Sequence, residues 1–359
     1  MAAWPNNRFR DLLRLEHPLI QAPMAGAALS AMAIGAAQAG GLGSIGCAML
    51  TPEALREQVA LFRKATPRPL NLNFFCHRAP EANRARDERW RQRLAPYYTE
   101  LGLDPAMPLS ASARAPFDST FAVLVEELKP EVVSFHFGLP EGSLLRRVRA
   151  TGAKILSSAT TVGEARWLEE HGCDAIIAQG AEAGGHRGMF LATEPAAQVG
   201  TLALVPQIVD AVKVPVIAAG GIADGRGIAA AFALGASAVQ IGTAYLFCPE
   251  STISPVHRAA LLRASADETV LTNVLSGRPA RSISNRVIRE VGPLSADAPP
   301  FPLASGALAP LRGKTEPAGS GDFMPLWSGQ AAQLSSRGIT AAELTAKLAQ
   351  DALARLAAL

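Results

Sequence analysis

A rhythm limits this chain's fold more than any single motif. Short, almost continuously apolar runs alternate with helical patterns through the first 250 residues. The runs fall at 19–26 (LIQAPMAG), 41–46, 70–75 (LNLNFF), 132–138 (VVSFHFG), 153–159 (AKILSSA), 175–180 (AIIAQG), 214–221 (VPVIAAGG) and 238–247 (AVQIGTAYLF). Strands apolar on both faces belong to parallel sheets covered on both sides. Helices are expected at 30–40, 51–65, 117–128, 141–150, 161–172, 205–212 and 225–235. Thr51 with Glu53 nearby marks the start of the second of these. Eight such units close naturally as a TIM-type (β/α)8 barrel of the α/β class. An open doubly wound sheet is the alternative. Against it, the strand in QAGGLGSIG follows its first glycines, whereas a dinucleotide fingerprint needs the strand to precede them.

The rhythm breaks twice. Residues 76–116 form a charged excursion containing EANRARDERWRQRLAPYY. Beyond residue 250, the stretch 251–316 includes VGPLSADAPPFPLASGALAPLRG. The expected organisation is a barrel over 1–250 with the excursion at about 76–116. A smaller, mainly helical lobe or lid on the substrate side spans 251–316, and 317–359 returns to the barrel through a helix at 341–358. With 49% hydrophobic residues the chain can build a large core without disulfides, and Cys47, Cys76, Cys173 and Cys248 form no CxxC pair. A reducing, cytoplasmic location is the expectation. Thirty-four basic residues stand against 31 acidic ones, without a long basic run, so no nucleic-acid partner is expected. Neither a signal peptide nor a membrane-spanning stretch is read from the sequence, and no membrane partner is expected.

In such a barrel the working groups lie at the carboxyl ends of the strands. Those ends carry Gln21, Pro23 and Met24, then Asn73, His136, Ser157 and Ser158, Gln179, Gly220 and Gly221, and finally Gln240, Gly242 and Thr243. Polar groups at the same relative place on successive strands imply a ring around one pocket. The loops after the last two strands, with glycine amides and a helix start, suit a phosphate. Tight structural turns are the bland alternative. After the sixth strand comes AQGAEAGGHRG (178–188), one histidine among four glycines. Glycine is costly to order, so such a run suggests backbone held close to a ligand, the alternative being a tight surface loop in which His186 does nothing. No GxxxxGK[ST] loop, GxSxG elbow or metal-like spacing is present, and no metal is expected.

In combination, PLIQAPMAG, LNLNF, GAEAGGHRG, AAGGIADGRG, QIGTAYLF and the tail GDFMPLWSGQAA resemble the FMN-dependent nitronate monooxygenases, formerly called 2-nitropropane dioxygenases. The likeness runs from about residue 10 to 250 and again near 321–331. It implies FMN as cofactor. It also implies oxidation of an alkyl nitronate by molecular oxygen, giving a carbonyl compound and nitrite through a flavin semiquinone. Carried over, Pro23, Met24, Asn73, Gln179 and Gly184 would line the flavin. Gly220, Gly221 and the run Gln240, Ile241, Gly242 and Thr243 would sit at its phosphate. His186 matches the family's catalytic base, and Ser158 stands where some relatives carry a lysine.

An imidazole near neutrality suits removal of an α-proton from a nitroalkane. Toward a preformed nitronate the same ring would act as an anion partner. Both roles suggest a mobile loop closing over the flavin. His136, between Phe135 and Phe137, is a second substrate-binding candidate, with a hydrogen-bonded core role equally open. His17 reads as structural, His77, His171 and Arg187 as facing solvent, and His257 has no assignment. The rival functions are flavin-dependent enoyl-acyl carrier protein reduction with NAD(P)H and a non-catalytic flavin-binding barrel. A homodimer is carried as an expectation only.

Overall fold

A computed structural model describes residues 3–81, 83–108 and 114–358. Within the expected excursion, 82 and 109–113 lie outside the described residues, as do 1, 2 and 359 at the ends of the barrel and C-terminal segments. Eight parallel strands form the barrel: β1 (Leu19–Gln21), β2 (Gly43–Gly46), β3 (Leu70–Phe75), β4 (Val132–His136), β5 (Lys154–Ala159), β6 (Ala175–Gln179), β8 (Val216–Ala219) and β9 (Ala238–Ile241). The two-residue β7 (Gly185–His186) belongs to a separate sheet. Neighbours run β1-β9-β8-β6-β5-β4-β3-β2, and a parallel bridge between Ile20 and Leu42 brings the two edge strands together. This is the (β/α)8 barrel that the alternation demands.

Each strand buries two faces. Ile20, Leu42, Val132, Leu156, Ile177 and Ile217 fill the barrel interior, where Phe9, Leu13 and Leu15 from the N-terminal segment join them. Leu19, Leu72, Val133, Ile155, Ile176 and Val239 instead pack against the helices. Near the mouth the interior turns polar. Asn71 Nδ2 donates to Ser44 Oγ at 3.0 Å, and Asn73 Nδ2 donates to Ser134 Oγ at 2.9 Å. Buried amides need such partners, so these bonds fix the side chains that floor the site.

The strands end earlier than the apolar runs. β1 stops at Gln21, two residues short of Pro23, which has no N–H to continue a ladder. β9 stops at Ile241, and 243–247 tighten into a single turn of 3-10 helix. The helix expected from 205 begins at Thr201, because the Glu182 carboxylate accepts from the Thr201 N–H at 2.9 Å.

Beyond the barrel, β10 (Thr269–Thr272) and β11 (Ala280–Ile283) form an antiparallel pair, and β11 also pairs with β7. Helix Arg84–Glu100 buries Trp90, Leu94 and Tyr98 against Val274, Leu275, Ile288, Leu308 and Leu311. The two breaks in the rhythm therefore share one core. The helix Ala341–Leu356 returns to the barrel, burying Leu344, Leu348 and Ala352. Among the described residues no helix is long and apolar enough to cross a membrane.

Candidate active site

At the carboxyl ends of the strands lies a cavity of about 340 Å³. Pro23, Met24, Asn73, His136, Gln179, Gly184, His186, Gly220, Gly221, Gln240, Gly242 and Thr243 all line it. Ile241 does not: its side chain packs into the core between strands and helices. Alternation along β9 explains this correction, because successive side chains point to opposite faces.

One wall of the cavity is mostly backbone. Gly220 and Gly221 adopt φ +104° and +69°, conformations that a side chain would strain. A Cβ on Gly220 would lie 3.1 Å from the Ala183 nitrogen and the Gly180 oxygen. Among the described residues the N–H groups of Gly221, Gly242 and Thr243 make no hydrogen bond. The buried Gln240 Oε1 likewise has no partner. Unpaired donors and an unpaired acceptor around one cavity are what a polar ligand would satisfy. The helix terminus expected to assist is already capped, however. Asp224 accepts from the N–H groups of Arg226 and Gly227 at 2.9 and 3.2 Å.

The opposite wall is built of side chains. The His186 carbonyl accepts from Gln179 Nε2 at 3.0 Å and from His136 Nε2 at 3.1 Å. Because a carbonyl only accepts, His136 carries its proton on Nε2. Burial pushes its pKa down to about 3, so the ring is neutral and Nδ1 accepts from the Ser158 hydroxyl at 3.0 Å. Both ring nitrogens of His136 are thus committed to the protein. The residue borders the cavity as a support for His186 rather than as a free polar contact.

The His186 ring stands among Phe75, Phe137, Phe301 and Trp327, at centroid distances of 6.2, 6.0, 5.1 and 5.1 Å. Phe137 reaches this cage with φ +73°, a left-handed conformation that costs on the order of 1–3 kcal/mol for a bulky residue. Burial, followed by the charge of Arg114, holds the His186 pKa well below its ordinary value; His136, Arg278 and His77 add to the shift. Its Nε2 lies 2.9 Å from Ser276 Oγ.

The loop is stapled rather than free to swing. Arg187 is fully buried, not solvent-facing as its sequence position suggests. Its guanidinium donates to the carbonyls of Gly180 and Gln179, each at 2.6 Å, and to Gln198 Oε1 at 2.9 Å. Glu164, also fully buried, accepts from the N–H groups of Phe190, Leu191 and Ala192. Gly188 N–H donates to Gln179 Oε1 at 2.7 Å. Gly184 passes so close to the chain at 328–329 that a Cβ would lie 2.4 Å from the Gly329 nitrogen.

His77 is a further correction. It is buried 4.7 Å from Phe301, and burial lowers its pKa to about 4. His257 also borders the cavity, with Nε2 donating to the Trp327 carbonyl at 3.0 Å. His171 is exposed and stacks on Trp167. Ser276, Phe301, Glu164 and His257 went unmarked in the sequence because no local pattern announces them. Trp327 had a signal, since it lies inside the tail GDFMPLWSGQAA. Among the described residues no group of three His, Cys, Asp or Glu side chains is placed to hold a metal.

Comparison with known proteins adds to this geometry. The family model described as nitronate monooxygenase matches residues 6–351. A nitronate monooxygenase from Pseudomonas aeruginosa is 42% identical over 96% of this chain and 99% of its own length. One from Paraburkholderia phytofirmans is 41% identical over 95% and 93%. Among solved structures, a nitroalkane oxidase from Streptomyces ansochromogenes superposes with a TM-score of 0.88 at 35% identity, covering 98% of this chain and 100% of that one. FabK from Thermotoga maritima gives 0.74 at 29%, covering 98% and 97%.

Proposed function

This chain belongs to the nitronate monooxygenase family, and from that membership we propose that it oxidises alkyl nitronates with molecular oxygen, using FMN, to a carbonyl compound and nitrite. The cavity fits the cofactor. The N–H groups of Gly221, Gly242 and Thr243 would receive the phosphate, and Gln240 and Asn73 the polar parts of the flavin. Pro23, Met24, Gln179 and Gly184 would line its remaining surface. Bound FMN would supply the one-electron chemistry with nitronate and oxygen.

The observation that carries the reading is the placement of His186, whose ring borders the cavity inside an aromatic cage. Its carbonyl is held by Gln179 and His136, so the ring is presented from a fixed backbone. Burial and nearby arginines disfavour the imidazolium, and the positive charge of Arg114 and Arg278 favours a substrate that is itself an anion. A preformed nitronate matches this field better than a neutral nitroalkane. His186 then orients the anion, and it removes the α-proton only when the neutral form binds. Phe75 and Trp327, which line the cavity, would exclude water around an alkyl chain.

Anaerobic mixing of the flavin-loaded protein with ethyl nitronate tests the proposal. The expected result is a rapid change in the flavin's visible spectrum, followed by nitrite once oxygen is admitted. An unchanged spectrum across several nitronates, or bleaching by NADPH alone, would overturn it. His186→Asn with FMN retained should slow turnover; equal rates with nitronate and nitroalkane in variant and parent would remove the histidine from the reaction.

A further inference from the structure

The turn between β10 and β11 carries Ser276, whose side chain is buried. Its hydroxyl lies 2.9 Å from His186 Nε2 and 3.3 Å from the Arg278 carbonyl oxygen. The turn is held on two sides. Gly277, at φ +91°, sits where a Cβ would meet the Pro299 oxygen at 2.1 Å, and its carbonyl accepts from Phe301 N–H at 3.2 Å. On the other side, β11 pairs with β7 through Ala280 and His186, and Arg187 N–H donates to the Pro279 carbonyl at 2.8 Å. Oxygen and imidazole are therefore fixed relative to each other, and only protons are left to rearrange.

A hydroxyl has one hydrogen and two acceptor sites, and a neutral imidazole has one N–H and one lone pair. Two arrangements satisfy both groups. With the hydroxyl donating to the Arg278 carbonyl, it accepts from His186 Nε2–H, and Nδ1 is a bare lone pair. With the hydroxyl donating to Nε2, Nδ1 carries the hydrogen. Among the described residues Nδ1 has no hydrogen-bond partner, and its ring borders the cavity.

We propose that Ser276 is a positioning residue that lets His186 hold either tautomer, so that Nδ1 meets a neutral nitroalkane as a base and a nitronate as a donor. The proposal rests on the reading of the cavity as a nitronate site. In the base arrangement the substrate C–H bond breaks and the proton goes to Nδ1. The electron pair stays on the substrate as nitronate, and the resulting imidazolium still donates Nε2–H to Ser276. In the donor arrangement no covalent bond changes at the histidine, and Nδ1–H donates to a nitronate oxygen. Burial lowers the histidine's proton affinity most, and Arg114, His136, Arg278 and His77, which face the ring, each lower it further. The tautomer, rather than full protonation, is then the cheaper variable.

The test uses flavin-loaded full-length protein as parent, Ser276→Ala and Ser276→Thr. Nitrogen NMR of 15N-histidine protein, with His186 assigned through His186→Asn, reads the tautomer with and without nitrate, a planar oxyanion probe. The parent should move from Nε2–H to Nδ1–H when nitrate binds. In Ser276→Ala the Nε2–H loses its buried acceptor, so kcat/KM for nitroethane should fall about tenfold or more while that for ethyl nitronate changes by less than about threefold. Ser276→Thr should restore the ratio. The same tautomer with and without nitrate, an equal fall for both substrates, or no fall for either would overturn the proposal. Failure of the nitronate reading is distinct: it appears as absent nitronate turnover in the parent, while the NMR result still decides the role of Ser276.

Discussion

The two walls of the cavity are built on opposite plans. The wall at β8 and β9 is backbone, made of glycines at positive φ, open N–H groups and few side chains. The wall at β4, β6 and β7 is side chain, with Gln179, His136, Arg187, Glu164 and Ser276 holding one histidine from several directions. A backbone wall is damaged by adding atoms, because space is what it offers. A side-chain wall is damaged by deleting them, because each deletion leaves a buried polar group without its partner.

The sharpest test of this contrast is Arg187→Met. It keeps an apolar stem but strips three acceptors of their donor, and a loss of about 3–5 kcal/mol in stability is expected. Urea unfolding of the flavin-free protein would read it, and a loss below 1 kcal/mol, small against that expectation, would break the comparison. Next, Glu164→Gln replaces one acceptor oxygen by an NH2 group facing N–H donors. About 2 kcal/mol should be lost, together with turnover on nitronate, since the segment after His186 is released. Gly220→Ala adds one carbon to the other wall. Strain of about 1–2 kcal/mol should appear as roughly tenfold weaker FMN retention in a dialysis assay. Unchanged retention would place the cofactor's phosphate elsewhere.

The smallest effect is expected from pH near neutrality. Burial lowers the pKa of His136 to about 3 and of His77 and His257 to about 4, from an ordinary 6.5. The folded state therefore holds these rings neutral while the unfolded chain takes up protons below about 6.5. Their contribution to stability is complete above that pH and is lost progressively as pH falls toward 4 and 3. The urea midpoint should be flat above neutrality and decline on the acid side, with a shallower decline in His257→Asn. A midpoint insensitive to acid would mean that the rings are not sealed as described.

The contrast also explains how far the sequence could be read. The barrel was legible because its strands are apolar on both faces and recur regularly, and the glycine wall because Gly220, Gly221 and Gly242 lie at strand ends. Arg187 was misread toward solvent because nothing local to GGHRG announces that its guanidinium folds back onto Gln179 and Gly180. His77 was misread because its burial depends on Phe301, more than two hundred residues away in the chain. Ile241 was included with its neighbours although strand alternation turns it away from the cavity. Periodicity reports which face of an element is buried; it does not report which remote side chain arrives to complete a site.

The pairing of β7 with β11 also bears on the order in which the protein becomes competent. A chain that has reached residue 250 contains every barrel strand, yet none of Ser276, Phe301 and Trp327. His186 and Ser276 are 90 residues apart, and Gly329 closes onto Thr243 across 86. During synthesis these contacts can form only after the barrel strands are made, because residues 276, 301, 327 and 329 all follow β9 in the chain. The barrel is thus a scaffold that ripens from its far end. Cofactor capture draws on the early part and completion of the histidine's surroundings on the late part, so a nascent or truncated chain that holds flavin would still lack the Ser276 hydroxyl and the Phe301 and Trp327 rings beside His186.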